Sequence, residues 1–353
     1  MPGKFSKHDY PIVLILCISL LLAACSPGPA SRPTEVAGTP APANLAISVL
    51  PTYTPTPLPL GSTENPLRIG IVLPSPSVES EAALRSLNQA ISGMSNFAVQ
   101  FQPFASYIDM ENALQRKLIQ MAWTQPVEYL LASEKGLLYA ALVTNHLGVT
   151  AYGVQFVGNA ASNFALYFDA GTNRSTSEAP TALAQFSGLR PCFLSTNSLS
   201  GYWVPLGYLK AANVGNQAPV FTYSHSASLR ALYITGICDY AATYAISGDP
   251  RTSSAVIVDL GDALSQLPVI WISPPVIPNL VLASAPDLDA AILNRVTEAL
   301  LAFSQTEQGR AELSLGLNYE ISGLEAFTDS GFTELRALLA GVNLSLSSLL
   351  PAP

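Results

Sequence analysis

The stretch from Cys192 to Pro205 (Cys-Phe-Leu-Ser-Thr-Asn-Ser-Leu-Ser-Gly-Tyr-Trp-Val-Pro) has the residue types best suited to holding an anion. A short apolar run enters a loop of small hydroxyls and a glycine, and a helix follows. Ser198, Ser200 and the amide of Gly201 can direct hydroxyl and N–H hydrogens at one oxyanion, because the first amides of a helix lack intrahelical acceptors and the dipole there is positive. The same residues equally suit plain N-capping, in which one serine satisfies the helix and nothing binds. A nucleophilic triad can be drawn from Ser198 or Ser200 with His225 and Asp239, all at strand or loop ends, although nothing in their spacing demands it. No G-x-S-x-G elbow, G-x-x-x-x-G-K-[ST] loop or H-E-x-x-H pair occurs. With three histidines in all, one of them at position 8, a zinc site is not expected.

The chain around these residues is 353 long, 49% hydrophobic and only 11% charged, with 16 Lys+Arg against 24 Asp+Glu. That length suits roughly two domains of about 100–200 residues. A formal charge of -8 argues against nucleic acid, since phosphate-backbone binding needs clustered Lys and Arg. The mean hydropathy of +0.33 is compatible with a multi-span membrane protein, but only one long apolar run exists, at the N-terminus.

Residues 1–24 read as an export signal: Lys4 and Lys7 precede an apolar run, Pro11 to Leu22, that is short for a spanning helix of about 20 residues. The run ends in Leu22-Ala-Ala-Cys25, which resembles the bacterial lipobox, so Cys25 is expected to carry lipid and hold the protein on a membrane leaflet. From residue 25 to 66 the composition is Pro, Thr, Ala and Ser, a semi-rigid extended linker. Once Cys17 leaves with the signal and Cys25 is lipidated, Cys192 and Cys238 remain, and an exported pair points to a disulfide.

The body must position the anion loop. Leu67–Leu73 is an apolar run stopped by Pro74, and Ala83, Leu84, Leu87, Ile91 and Met94 follow at helical spacing. Strand and helix patterns then alternate through Phe97–Phe101, Tyr107–Ile119, Gln120–Trp123 and Val127–Ser133, and apolar runs recur at Leu138–Val143 and Val154–Val157. A polar, irregular segment, 158–184, reads as an insertion. Alternation resumes from Arg190 to Tyr244, followed by Val269–Ile272 and an amphipathic helix over Asp287–Gln305. The pattern predicts an α/β protein of two lobes, each a mostly parallel sheet flanked by helices, with ligand in a cleft at strand C-termini. The expected division is 67–151 for the first lobe, 152–265 for the second, 266–345 returning to the first, and 346–353 as a tail.

Several segments resemble the phosphate/phosphite/phosphonate-binding subfamily of ABC-transporter substrate-binding proteins, the type II periplasmic-binding family. They are Gly61 to Pro74, Tyr107 ahead of its helix, Ala122-Trp-Thr-Gln-Pro-Val-Glu-Tyr129 (A-W-x-x-P-x-x-Y), and Ser198-Leu-Ser-Gly-Tyr202 (S-T-S-G-Y). Ser224-His225, Cys238-Asp-Tyr-Ala-Ala-Thr-Tyr244 and Ile272-Ser-Pro-Pro-Val-Ile-Pro-Asn279 resemble further family segments, and all keep family order from about Gly61 to Leu339.

The resemblance implies a two-lobed fold that closes by a hinge on a small oxyanion, such as phosphonate, phosphite or phosphate, and passes it to ABC permease subunits. Tyr107 and Tyr152 would offer phenol donors, with Thr124, Ser198, Ser200, Gly201 and His225 completing the cradle. Asp239 would either accept a ligand proton or anchor a strand. Neutral donors suit a buried anion because each gives a charge-assisted hydrogen bond. Three departures accompany the match: Leu199 replaces a threonine, and Leu280 and Ile246 replace frequently acidic residues, which disfavours an aminoalkyl tail. The implied protein is a monomer without cofactor or metal, not an enzyme, lipid-anchored on the outer face of the cytoplasmic membrane. A sensory or interaction lipoprotein with a degenerate cleft is the alternative, and a secreted hydrolase a more distant one.

Overall fold

The computed structural model describes residues 58–350; the export signal, Cys25 and most of the linker lie outside them. In chain order the elements of the first half are β1 (Leu67–Val72), α1 (Val78–Ser95), β2 (Val99–Phe104), α2 (Tyr107–Gln115), β3 (Met121–Thr124), α3 (Pro126–Glu134) and β4 (Tyr139–Asn145). The second half holds β5 (Ala151–Gly158), β6 (Phe168–Asp169), β7 (Arg174–Ser175), α4 (Ala179–Leu183), β8 (Pro191–Phe193), α5 (Val204–Ala211), β9 (Val220–Phe221), α6 (His225–Tyr233) and β10 (Tyr240–Ala245). Then come α7 (Ser254–Ile257), α8 (Ala263–Gln266), β11 (Val269–Ile272), β12 (Ile277–Pro278), β13 (Val281–Ser284), α9 (Ala290–Ser304), α10 (Glu307–Leu317), β14 (Gly323–Ala326) and α11 (Thr333–Gly341).

Two main sheets result, ordered β14-β4-β13-β3-β1-β2 and β11-β5-β10-β8-β9. The strand–helix alternation produces parallel pairs β1–β2, β1–β3, β8–β9 and β8–β10. Antiparallel pairs are at least as numerous, β13 with β3 and β4 and β14 with β4 in the first sheet, β5 with β10 and β11 in the second. Both sheets are therefore mixed where mostly parallel ones were expected, because the strands at and beyond each crossing run against the strand–helix units. The chain leaves the first sheet after β4 and enters the second at β5. It returns through β12, which pairs with β5 at Ile277↔Tyr152, into β13. Because β11 belongs to the second sheet, the return falls between Ile272 and Val281, later than the expected 266.

Local chemistry accounts for the helices that cover the sheets. Ser77 caps α1 by accepting from the Ser80 amide at 3.1 Å, and Leu84, Leu87 and Ile91 bury one stripe. Asn96 in the left-handed region (φ 59°) ends the helix. With Val296, Leu300 and Phe303 of α9 and Leu313 of α10, that stripe forms a core against Ile69, Phe101 and Leu282 of the first sheet. A second core joins the halves, reaching from Tyr129 and Leu130 of α3 to Phe156, Phe186 and Tyr240. The C-terminal α11 packs on α5, where Gly207 lets Leu338 approach closely, so the end of the 266–345 segment touches the second half as well as the first.

The irregular insertion has a structural task. β11 is the edge of its sheet, and Ser175 Oγ covers it by donating to Ile272 O and accepting from Ile272 N, both at 2.8 Å. Tyr167 N donates to Ile270 O and Trp271 Nε1 to Ser177 O, so backbone groups that would otherwise be free to template another chain are occupied.

Candidate functional site

Side chains from both halves and both crossings converge on a cavity of about 340 Å³. Gln125 and Pro126 reach it from the start of α3, and Tyr319 from the segment after α10. Tyr152 comes from β5, Ser200 from the turn before α5, and Tyr244 and Ser247 from the end of β10. His146, Leu147, Pro278 and Asn279 close it at the crossings. No carboxylate, ammonium or guanidinium lines it. A larger cavity, about 570 Å³, lies between the insertion and Trp271–Pro275, but none of the buried polar atoms left without a partner belongs to its wall.

Ser200 is nearly buried at the start of a single π-helical turn, Leu199–Trp203, closed by Trp203 N donating to Ser198 O at 3.1 Å. Ser198 Oγ accepts from the Gly201 amide at 3.0 Å. The capping reading therefore describes Ser198 and Gly201: that amide is already spent, and Ser198 keeps one hydroxyl hydrogen to give. A Cβ at position 201 would overlap Leu194 Cβ and lie 3.3 Å from His225 Cε1, so a glycine is needed for the turn to sit against α6.

His225, first residue of α6, stands behind this turn, beside Tyr244. Burial pushes its pKa down to about 4, so the imidazole is neutral, and its Nδ1 is buried without a partner. The phenols stay protonated: burial raises Tyr152 and Tyr244, and burial with the Glu320 carboxylate raises Tyr319 to about 12. The wall thus carries protonated phenols and a serine hydroxyl, and of the residues expected at the site Tyr152 and Ser200 are brought together on it. Gln125, His146, Tyr244 and Tyr319 join without having been foreseen as wall residues. Tyr244 closes the Cys238–Tyr244 segment, so the motif carried the signal even though its last residue was not singled out.

Residues 69–332 match the sequence model of the family described as the ABC transporter, phosphonate, periplasmic substrate-binding protein. The chain belongs to this family. No curated protein matches the sequence. A solved Xanthomonas citri protein bound to ATP is similar at a TM-score of 0.54 and 15% identity, over 78% of this chain and 96% of that one. Transferrin 1 from Manduca sexta is similar at 0.53 and 14%, over 78% of this chain and 46% of its own. PhnD1 from Prochlorococcus marinus, in complex with methylphosphonate, is similar at 0.47 and 17%, over 78% and 98%. The fold is thus that of two-lobed periplasmic binding proteins, and membership makes the chain a transport substrate-binding protein for phosphonate-type ligands that works with permease subunits outside the cytoplasm. None of the described helices is long and apolar enough to cross a membrane.

Several residues expected at the site lie elsewhere in this family member. Thr124 is fully buried and its hydroxyl donates to Val281 O at 3.2 Å, bonding strand to strand. Tyr107 is buried in the core that joins the halves and does not line the cavity; burial and Glu111 hold its phenol protonated. Asp239 precedes β10, at the end opposite Tyr244, where its Oδ2 accepts from Arg190 N at 2.7 Å and its own amide donates to Arg190 O. It anchors a strand, and a Ser-His-Asp triad does not assemble. Two of the three departures also leave the cavity untouched: Leu280 is core, and Ile246 faces the larger cavity. Cys192 in β8 and Cys238, just ahead of the neighbouring strand β10, form a disulfide.

Proposed function

We propose that this protein is a lipid-anchored solute receptor, with acyl chains on Cys25, that captures a small phosphonate, phosphite or phosphate in the cleft and delivers it to its permease. The observation that carries the reading is one cavity walled from both halves by hydroxyl, phenol and amide groups and lined by no carboxylate, ammonium or guanidinium. A buried oxyanion needs such donors, because leaving its oxygens without hydrogen bonds costs far more than closure returns. The ligand bridges the halves, so binding favours the closed arrangement in proportion to the contacts made only there. The tail of the anion meets Leu147, Pro126 and phenol rings with no carboxylate to pair an amine, which favours an uncharged organic group.

Calorimetric titration of the full-length protein with methylphosphonate, phosphite and phosphate tests the reading. Saturable binding by at least one supports it, and the absence of heat with all three ends it. Radiolabelled palmitate should enter the wild type and be lost from Cys25→Ala.

A further inference from the structure

Asn279 carries a buried acceptor that no donor reaches. It stands where the two crossings run side by side: its amide N donates to Thr150 O at 2.9 Å, and its Nδ2 donates to Thr144 O at 3.2 Å and Val149 O at 2.7 Å. Two carbonyls can be bonded only by the NH2 edge of the side chain, so the other edge is fixed as Oδ1. The residue is 2% exposed, and Oδ1 has no partner. The nearby Thr144 hydroxyl is itself unpartnered and so does not supply the missing hydrogen. Asn279 lines the cleft beside Tyr152 and Tyr319.

A fully ionised oxyanion offers only acceptors and would repel such an oxygen. A monoprotonated phosphonate or phosphite offers one O–H beside its charged oxygens, which suits one acceptor among many donors. Resting on the functional reading above, we propose that Asn279 is a specificity-determining residue: its Oδ1 accepts the P–OH hydrogen of a monoprotonated phosphonate-type anion. The same oxygen disfavours an isosteric sulfonate, whose oxygens carry no proton.

The test uses methylphosphonate and methanesulfonate with the full-length protein. At about pH 5, methylphosphonate keeps its P–OH and should bind about tenfold or more tighter than methanesulfonate, since a site that hydrogen-bonds a hydroxyl rejects the analogue lacking it. In Asn279→Ala that ratio should fall to within about threefold, whatever the loss of the Nδ2 bonds does to both ligands alike. A second measurement needs no variant. Raising the pH to about 9 ionises the P–OH and should erase the preference in the wild type. His146 and the phenols of Tyr152, Tyr244 and Tyr319 line the cavity, and His225 and the carboxylates of Asp249 and Glu320 lie beside those tyrosines, so all of them act on both probes alike. The sulfonate titration therefore subtracts their contribution. Equal binding of the two probes at about pH 5, as a water held on Oδ1 in both complexes would give, overturns the role of Asn279 and leaves the functional reading standing. Binding of neither probe overturns the role of Asn279, and the functional reading falls with it only when phosphite and phosphate also give no binding.

Discussion

The imidazole of His225 stands edge-on to the ring of Tyr244, with centroids 4.9 Å apart and planes at 89°. The contact ties the first residue of α6 to the end of β10, and Gly201 brings the anion loop against the same imidazole. One wall of the cleft is therefore a packed unit, and its donors are positioned before any ligand arrives.

Ser200 and Ser198 should separate on mutation. Ser200→Ala removes a cleft hydroxyl that makes no hydrogen bond among the described residues, so it should weaken methylphosphonate binding about tenfold while leaving the urea midpoint unchanged. Ser198→Ala removes the cap on the Gly201 amide and should cost about 1 kcal/mol of stability in addition to affinity. Calorimetry and urea titration on both variants check this.

Gly201→Ala should cost more than either. The added methyl meets Leu194 and His225, and the turn must move to make room. A loss of about 1–3 kcal/mol by urea denaturation, with weakened binding, is the expected result.

Two half-buried groups give opposite pH slopes. His225 has its pKa lowered to about 4 by burial, so between there and its unfolded value near about 6.5 the unfolded chain binds more protons, and stability falls as pH drops through that window. Glu128 caps α3 by accepting from the Gln125 amide at 2.8 Å, and burial raises its pKa to about 7. The folded chain then holds the extra proton, and stability falls as pH rises from about 4.5 towards 7. Glu128→Gln should therefore stabilise the protein by about 1 kcal/mol above pH 7, with the gain vanishing below about pH 5. Urea curves at several pH values, on the wild type and on Glu128→Gln and His225→Phe, resolve the two slopes.

The Cys192–Cys238 bridge closes a loop across a sequence separation of 46. Loop-closure entropy for that length corresponds to about 4 kcal/mol. Reduction under mild denaturant should lower the thermal midpoint, and Cys192→Ala with Cys238→Ala should reproduce the shift. Both sulfurs are buried, so reduction should be slow without denaturant.

The residues alone determined the alternating strands and helices, the anion loop with Ser200 at a helix start, the cysteine pair and the family, because each is written in contacts a few positions apart or in ordered motifs. What the residues did not determine was which end of each element faces the cleft. Asp239 and Tyr244 share one segment, yet five residues of extended chain set them about 16 Å apart, and only Tyr244 reaches the cavity. Tyr107 and Thr124 were drawn into the core and the sheet by packing that their own neighbours in sequence do not encode. Asn279 became a wall residue only because two distant crossings were laid side by side, and Tyr319 because the segment after α10 packs its ring against His146. Pairing register and lobe packing are long-range choices, made by burial across the whole fold.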